Sequence, residues 1–190
     1  MPIIDKGQRN SVSGVVPDDL TISFFANDCH ISLPETSKVT GTFEFRRNEQ
    51  LAKIGEGTRG KFIVHLKGDK VSFIVGTNVT VNNVLWANLA EGGCDIEIGN
   101  DCLIANVQFR PSDSHKIFDM DTGERLNAPT PISVGNKVWI AQEVLVLKGT
   151  RIGDGCVVGA RSTLNGIYPE NSILAGTPAK VVRQNVRWEE

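Results

Sequence analysis

An aliphatic residue recurs at every sixth position over the stretch from Val134 to Leu164. A small or β-branched residue stands four positions after each of the first five members of this series. Neither the helix period of 3.6 residues nor a plain strand period of 2 produces such a spacing. A parallel β-helix does, because each hexad supplies one short strand and one turn, and the stacked coils bury the aliphatic side chains. The two sets are Val134, Ile140, Val146, Ile152, Val158 and Leu164, and Val138, Val144, Thr150, Cys156 and Ser162.

The hexad register extends towards the N-terminus and is interrupted once. Val75 and Val81 are in register, and Ile98 and Ile104 resume it after a slip of one residue. The pattern then breaks, and Val134 takes it up again in the same phase as Ile104. We therefore predict a loop extruded near residues 110–131 that leaves the solenoid without shifting it. Long loops carried on a rigid scaffold are frequent places for binding and catalytic groups.

The N-terminal part of the chain follows the hexad pattern only loosely. The segments LTISFFA and GTFEFRR alternate like strands. The sequence of residues 27–31 (NDCHI) echoes that of residues 100–104 (NDCLI), which suggests that degenerate coils begin near residue 20. We predict a single β-helix domain over residues 1–190, with irregular coils over 1–73, regular coils over 74–183 and a tail over 184–190. A small β-rich N-terminal cap is the alternative for the first part.

Composition narrows the functional classes. The formal net charge of −2 and the pI near 5.9 give no sign of the basic face that a nucleic-acid partner favours. The sequence contains no signal-peptide pattern and no apolar run of the roughly 18 residues that a membrane span needs. The four cysteines form no CxxC pair, and Cys102 and Cys156 occupy hexad core positions. We therefore expect buried thiols in a reducing compartment, with the cytoplasm as the location.

The regular part of the chain resembles a known family. The segments VGNKVWIAQEVLVLKGTRIGDGCVVGARSTL and ILAGTPAKVVR are similar to the hexapeptide-repeat acyltransferases. The resemblance implies a left-handed parallel β-helix, an exception to the usual right-handed crossover. It also implies a homotrimer that binds acetyl-CoA as acyl donor in grooves between subunits, without a metal.

The predicted loop carries the residue that this resemblance makes catalytic. Its sequence SDSHKIFDMDTGERLN resembles the loop of the polysaccharide O-acetyltransferases, in which a histidine is the general base. By that match His115 is the base, and an imidazole is well suited to accept a hydroxyl proton at neutral pH. Asp113 is a candidate to orient the ring, although a backbone carbonyl could serve equally well. Ser114 stands where some relatives place an acid.

The positions of the histidines also test an alternative hypothesis, that the chain is a zinc enzyme of the γ-class carbonic anhydrase type. Such an enzyme needs three histidine ligands, two of them closely spaced. His30, His65 and His115 lack that spacing, so we expect no metal. His30 and His65 are better interpreted as strand residues of the irregular coils.

The resemblance implies a donor site in the C-terminal coils and an acceptor site near the histidine. On the donor side, Trp139 matches an aromatic residue that packs beside the pantetheine arm of coenzyme A. The small turn residues match positions whose backbone contacts the cofactor, and the two basic residues match positions that contact its phosphates. Trp139 could instead pack a subunit interface, and the basic residues could be solvated charges. The turn at Asn165-Gly166 lacks a lysine that several relatives carry. The implied donor residues are Trp139, Ala141, Gly159, Ala160, Lys180 and Arg183.

On the acceptor side, Asn82 matches a polar position used by some sugar acetyltransferases. It could equally be a turn residue with left-handed backbone. Arg125 could close over a sugar or over the donor. The expected function is O-acetylation of a surface polysaccharide or its sugar precursor, with the Ala141 amide stabilising the oxyanion. N-acetylation of an amino sugar, acetylation of serine or a drug, and a non-catalytic scaffold remain as alternatives.

Overall fold

The computed structural model describes residues 3–189. Met1, Pro2 and Glu190, the ends of the predicted single domain, lie outside the described residues. Twenty β-strands and no helix occur in this described part. The strands are β1 Ile3–Asp5, β2 Ser11–Gly14, β3 Leu20–Phe24, β4 His30–Leu33, β5 Lys38–Phe45, β6 Leu51–Ile54, β7 Arg59–Leu66, β8 Ser72–Val75, β9 Thr80–Leu89, β10 Ile96–Ile98, β11 Leu103–Arg110, β12 Ile132–Val134, β13 Trp139–Ile140, β14 Val144–Leu147, β15 Arg151–Ile152, β16 Val157–Val158, β17 Thr163–Leu164, β18 Ile167–Tyr168, β19 Ile173–Gly176 and β20 Ala179–Arg183.

The strands stack into two parallel sheets that wind around one core. The eight-stranded sheet has the order β18-β15-β12-β10-β8-β6-β4-β2. The twelve-stranded sheet runs β1-β3-β5-β7-β9-β11-β13-β16-β19-β20, with β14 pairing to β11 and β17. The chain alternates between the sheets once per coil, and only the final hairpin partner β20 runs antiparallel within residues 3–189. The result is a left-handed parallel β-helix of about eight coils, as predicted.

The hexad positions form the core of the later coils. The six aliphatic residues from Val134 to Leu164 are at most 3% exposed, and the five residues four positions after them are at most 2% exposed. The residue before each of these five adopts a left-handed backbone, for example Lys137 and Glu143. This sharp turn lets the chain change direction after a strand of only a few residues. The core prediction is confirmed.

The early coils are wider, which explains why their hexad pattern is weak. Equivalent positions of neighbouring coils lie 21 residues apart at Thr58 and Val79, but 18 residues apart at Asn136 and Asp154 after the loop. Large aromatic side chains occupy the wider section, and the rings of Phe43, Phe62 and Phe73 lie 6.2 to 6.5 Å apart. Bulky rings need a longer coil to enclose them, and the extra residues shift the hexad phase. The fully buried phenylalanines are Phe24, Phe43, Phe45, Phe62, Phe73 and Phe109.

The solenoid begins earlier than the sequence indicated. Ile3 already pairs with Ile22, so coils start well before the expected position near residue 20. LTISFFA and GTFEFRR form β3 and β5, and His30 and His65 lie in strands, as predicted. The echoing segments 27–31 and 100–104 share a turn in which Asp28 and Asp101 have positive φ. The two segments lie at different corners of the coil, however. Their shared sequence therefore indicates the same type of turn, but not the same position in the coil.

One column of turns, which we call the glycine corner, connects the eight-stranded sheet to the next strand of the other sheet. A β-carbon on Gly99 would lie 2.6 Å from the carbonyl oxygen of Gly135 in the next coil. An amide ladder runs beside these glycines, since Asn100 N donates to Asn136 Oδ1 (2.9 Å) and Asn136 N donates to Asp154 Oδ1 (2.8 Å). Glycine is therefore required here by close coil stacking. The corner contains Gly55, Gly76, Gly99, Gly135 and Gly153.

A second column of turns, which we call the alanine corner, lies one strand after the glycine corner in each coil. It is less crowded than the glycine corner. It contains Ala105, Ala141, Gly159 and Ala175. A β-carbon on Gly159 would meet its nearest neighbour, the side chain of Ala175, at 3.3 Å. Small residues at this corner are therefore less strictly required by coil stacking than those at the glycine corner.

The predicted loop leaves the solenoid between β11 and β12. Ile98 pairs with Val134 although the whole excursion lies between them, so the coil resumes in register.

All four cysteines are buried free thiols, and burial raises the pKa of Cys94 and of Cys102 to about 11. Within residues 3–189, no helix combines the length and apolar character that crossing a membrane would require.

Candidate active site

The excursion loop, residues 111–131, is anchored by one carboxylate of the preceding coil. Glu91 accepts a hydrogen bond from the Ser112 hydroxyl (2.5 Å) and one from Arg125 Nη2 (2.7 Å). The side chains of the Glu91–Arg125 pair are only 17% and 23% exposed. The Ser112 hydrogen bond and then Arg125 lower the pKa of Glu91 against the opposing effect of burial. The carboxylate thus holds both the first and the last part of the loop.

Buried Asn127 crosslinks the interior of the loop. Its Nδ2 donates to Asp113 Oδ2 and to the carbonyl oxygen of His115, both at 2.8 Å. Its Oδ1 accepts from the amide of Ile117 at 2.7 Å. Because this one side chain binds three points of the loop, the backbone around His115 is fixed in position.

The tip of the loop is a small hairpin. Phe118 and Arg125 form an antiparallel bridge, and the Asp119 carboxylate accepts hydrogen bonds from the turn at Asp121 and Thr122. Several apolar side chains project from it into solvent. They are Ile117, Phe118, Met120 and Leu126, exposed by 56%, 52%, 97% and 62%.

His115 is presented with its backbone held and its ring exposed. In the described part of this subunit neither ring nitrogen has a hydrogen-bond partner. Asp113, the predicted orienting residue, accepts from Lys148 Nζ (2.5 Å) and from Asn127 instead. Lys148 is the main cause of the lowered pKa of Asp113. Which group orients the imidazole therefore stays a prediction.

The donor residues of the alanine corner lie together on adjacent coils. Trp139 is 39% exposed and pairs with Val157 one coil on. The amides of Ala141 and Gly159 donate to Val158 O (3.0 Å) and Leu174 O (2.8 Å). The expectation that the Ala141 amide serves the oxyanion was therefore wrong, because coil stacking already uses that donor. The amide of Ala160 has no hydrogen-bond partner in the described residues and stays available.

The basic residues and an unexpected tryptophan lie near the same end of the solenoid. Lys180 and Arg183 are exposed on β20, which pairs with β19 of the last coil. The tail returns along the solenoid, and Trp188 Nε1 donates to the carbonyl oxygen of Lys137 at 2.8 Å. The ring of Trp188 lies 6.2 Å from that of Trp139. Sequence reasoning could not place Trp188, since no periodicity extends into the tail.

The two predicted acceptor residues have different surroundings. Asn82 is exposed in β9 at a register shift against β7, and its φ is not positive, so the alternative of a left-handed turn residue was wrong. That conformation belongs to Asn78 instead. Arg125 is held by Glu91, so closure over a ligand would require this ion pair to break.

The excursion loop and the predicted donor residues lie on different parts of the chain's surface. Trp139 pairs with Leu103 at the start of β11, whereas the loop leaves after Arg110 at the end of that eight-residue strand. The strand turns at Ala105 between these points, since its first part pairs with β13 and its last part with β14, so the two sites lie on different faces of the coil. Within residues 3–189 the structure contains no group of three side chains placed to hold a metal ion.

Comparisons with known proteins agree with this architecture. Residues 131–166 match the family described as bacterial transferase hexapeptide (six repeats). The chain is 34% identical over 127 residues to polysialic acid O-acetyltransferase of Escherichia coli O1:K1 / APEC, covering 66% of this chain and 40% of that protein. It is 36% identical over 116 residues to the putative lipopolysaccharide biosynthesis O-acetyl transferase WbbJ of Escherichia coli (strain K12), covering 56% and 58%. The chain thus spans about half the length of these relatives.

One further relative and one solved structure extend the match. The putative colanic acid biosynthesis acetyltransferase WcaF of Escherichia coli (strain K12) is 39% identical over 134 residues, covering 68% of this chain and 70% of that protein. The crystal structure of the polySia-specific acetyltransferase NeuO superposes with a TM-score of 0.90 at 25% identity, over 99% of this chain and 88% of that one. The hexads, the excursion loop and these matches together show that this chain belongs to the hexapeptide-repeat acyltransferases, alongside the bacterial polysaccharide and sugar O-acetyltransferases.

Proposed function

We propose that this chain is an acetyl-CoA-dependent O-acetyltransferase that modifies a hydroxyl of a surface polysaccharide or of its sugar precursor. The observation that carries the proposal is the presentation of His115, whose backbone is fixed by Asn127 while its ring stays free to meet a substrate. The relatives named as O-acetyltransferases support the sugar acceptor. The four free buried thiols support a reducing compartment, and we place the reaction in the cytoplasm.

His115 acts as general base in this proposal. The neutral imidazole accepts the proton of the acceptor hydroxyl as its oxygen attacks the thioester carbonyl carbon. The resulting imidazolium then donates that proton to the sulfur as the carbon–sulfur bond breaks. The unused Ala160 amide replaces that of Ala141 as the backbone donor for the oxyanion. The direct transfer involves no acyl-enzyme and no metal.

The donor fits the alanine corner on chemical grounds. Small residues leave room for a pantetheine arm beside Trp139, and coil stacking does not fully account for their size. Lys180 and Arg183 have no carboxylate partner within residues 3–189, so they are available for the phosphates of coenzyme A.

We further infer that the active site is composite. In one chain Trp139 lies beside the start of β11, whereas His115 follows the end of that strand on another face of the coil, so a donor bound at the alanine corner does not face that chain's own loop. In a homotrimer with head-to-tail contacts, the loop of one subunit can reach the donor corner of the next. The exposed apolar tip of the loop suits such a contact.

The His115→Ala variant tests the proposal through thiol release from acetyl-CoA with a panel of oligosaccharide and nucleotide-sugar acceptors. We expect kcat to fall by at least ~10² because the base is lost, while acetyl-CoA still raises the melting temperature of the variant. His30→Ala is the matched control, since His30 lies in β4 and its ring contacts Ser11 and Ser13. Full activity of His115→Ala would contradict the mechanism. A wild-type melting temperature unaffected by acetyl-CoA would instead favour a scaffold.

A further inference from the structure

A cleft lies between the start of the excursion loop and the strands β11 and β14. Its volume is about 310 Å³. Polar groups from β11 and the loop line one side, and two leucines of β14 line the other. Asp113 belongs to this lining and lies two residues before His115, so the cleft adjoins the proposed base. The lining residues are Gln108, Arg110, Ser112, Asp113, Leu145 and Leu147.

The charges of this cleft do not cancel. The Asp113 carboxylate is bound by Lys148 Nζ and by Asn127. The guanidinium of Arg110 has neither a carboxylate partner nor a hydrogen bond in the part of the chain that the structure describes. The cleft therefore contains one half-buried cation that the described residues leave unpaired, and a buried or partly buried charge normally has a counter-charge.

The unpaired cation is held in place by an aromatic ring. The guanidinium carbon of Arg110 lies 5.5 Å from the centroid of the Trp86 ring, in cation–π contact. The His65 ring contacts the same tryptophan edge-on at 6.1 Å, and burial lowers the pKa of His65. A cation–π contact restrains the guanidinium beside the ring while its N–H donors stay available, and a guanidinium is suited to bidentate binding of an oxyanion.

We propose that this cleft binds the acceptor and that Arg110 selects an acceptor sugar with an oxyanion group, a carboxylate or a phosphate. This inference rests on the proposed function, since it assigns the substrate class of the same site. Gln108 offers hydrogen bonds to sugar hydroxyls, and Leu145 and Leu147 offer an apolar surface to the sugar ring. Arg110 is a specificity residue here, whereas proton transfer belongs to His115.

The test measures binding in the absence of acetyl-CoA, by calorimetry with the full chain. The probes are a uronic-acid or sialic-acid oligosaccharide, its carboxyl-reduced counterpart, and a sugar phosphate. We expect the wild type to bind an anionic probe about 10- to 100-fold more tightly than the reduced one, the range for one charge-assisted hydrogen-bonded contact. Arg110→Gln should remove this preference and leave binding of the reduced probe within about threefold.

Two further variants make the outcome decisive. Arg110→Lys retains the aliphatic stem and the charge and should retain part of the preference, while Arg151→Gln, an exposed arginine in β15, should change nothing. Equal affinity of the wild type for the anionic and reduced probes, or a preference that survives Arg110→Gln, would overturn the inference. The anionic probe that binds more tightly shows whether the preferred oxyanion is a carboxylate or a phosphate. Selective binding without acetyl transfer would leave this inference standing and would count against the proposed function.

Discussion

Glu91 shows how a single side chain anchors the excursion loop that carries His115. It lies in the connection between β9 and β10, one coil before the loop, and binds both Ser112 and Arg125. A carboxylate that accepts hydrogen bonds only in the folded state has a lower pKa there than in the unfolded chain. Loop order is therefore linked to protonation of this one group.

This linkage predicts an acid sensitivity that Glu91→Gln removes. Because the folded-state pKa is lowered, the stabilisation by the charge is fully present above the ordinary glutamate pKa of about 4.3 and is lost as the pH falls through the lowered value. The wild type should therefore melt at a higher temperature than Glu91→Gln at pH 7, and the difference should shrink below about pH 4.

Melting curves of both proteins between pH 3 and 7 check this expectation. Glu49→Gln is the control, because its ion pair with Lys70 is exposed by 56% and 71% and should contribute little at any pH. A difference between wild type and Glu91→Gln that is constant with pH would mean that the charge of Glu91 does not anchor the loop.

The sequence predicted His115 but not the residues that hold it. His115 was found because the break in the hexads isolates the loop and the loop resembles that of known enzymes. Glu91 and Asn127 act through pairings 21 and 12 residues away, with Ser112 and His115, and neither spacing belongs to a periodic pattern. Contacts of this kind depend on how the loop folds back, which no local preference encodes.

At the scale of the elements, the glycine corner and the alanine corner use small residues for different reasons. In the glycine corner the next coil leaves no space for a β-carbon, as the 2.6 Å approach at Gly99 shows. In the alanine corner the corresponding approach at Gly159 is 3.3 Å, so a β-carbon needs only a small shift of its neighbour. The hexad pattern alone does not distinguish these cases, because both corners place a small residue directly after the aliphatic one.

Gly99→Ala should therefore be destabilising for steric reasons alone, since Gly99 has no positive φ. All three of the nearest atoms belong to the backbone of the next coil, so relief requires the coils to separate. We expect a loss of about 1 to 3 kcal/mol in the free energy of unfolding, the usual cost of overpacking. Denaturant unfolding measures it.

Gly166→Ala is the matched substitution, because its β-carbon would lie 3.7 Å from the nearest atoms, in ordinary contact with Tyr168. We expect it to change the free energy of unfolding by less than about 0.5 kcal/mol, as surface substitutions usually do. Equal losses at Gly99 and Gly166 would contradict a steric origin.

The elements also show where periodicity stops being informative. The later strands were predictable because the coil that follows the loop, from Asn136 to Asp154, contains three hexads without remainder. The first coil was predicted only as part of an irregular section, because the side chains of β1 are all exposed and its sequence Ile3-Ile4-Asp5 carries no alternation. The intervening coils were predicted only as irregular, since their buried phenylalanines lengthen the coil beyond a whole number of hexads.

At the scale of the whole molecule, the proposed composite site predicts that activity is a property of the assembly. We expect the protein in solution to have three times the chain mass of 20.7 kDa. Neither His115→Ala nor Trp139→Ala should be active alone. When the two are unfolded and reassembled together in equal amounts, about a quarter of the sites should contain an intact loop beside an intact donor corner.

Thiol release after such mixing distinguishes the arrangements. Recovery of about a quarter of wild-type activity supports sites shared between subunits. No recovery, from a mixture shown by mass to contain hybrid trimers, would place both residues of each site in one subunit. Mixing His115→Ala with His115→Asn is the control, since no combination of these two chains restores the base.

In a solenoid each coil touches only its neighbours, so the last coil can ordinarily fray without disturbing the rest. The C-terminal tail changes this behaviour. Val186 N donates to Asn171 O in the last coil, and Trp188 Nε1 donates to Lys137 O two coils earlier. The tail therefore bridges the last coils, and Trp188 joins it to Trp139 through a ring contact. We therefore expect a few residues beyond the last repeat to couple the stability of the chain end to the order of the proposed donor site at Trp139.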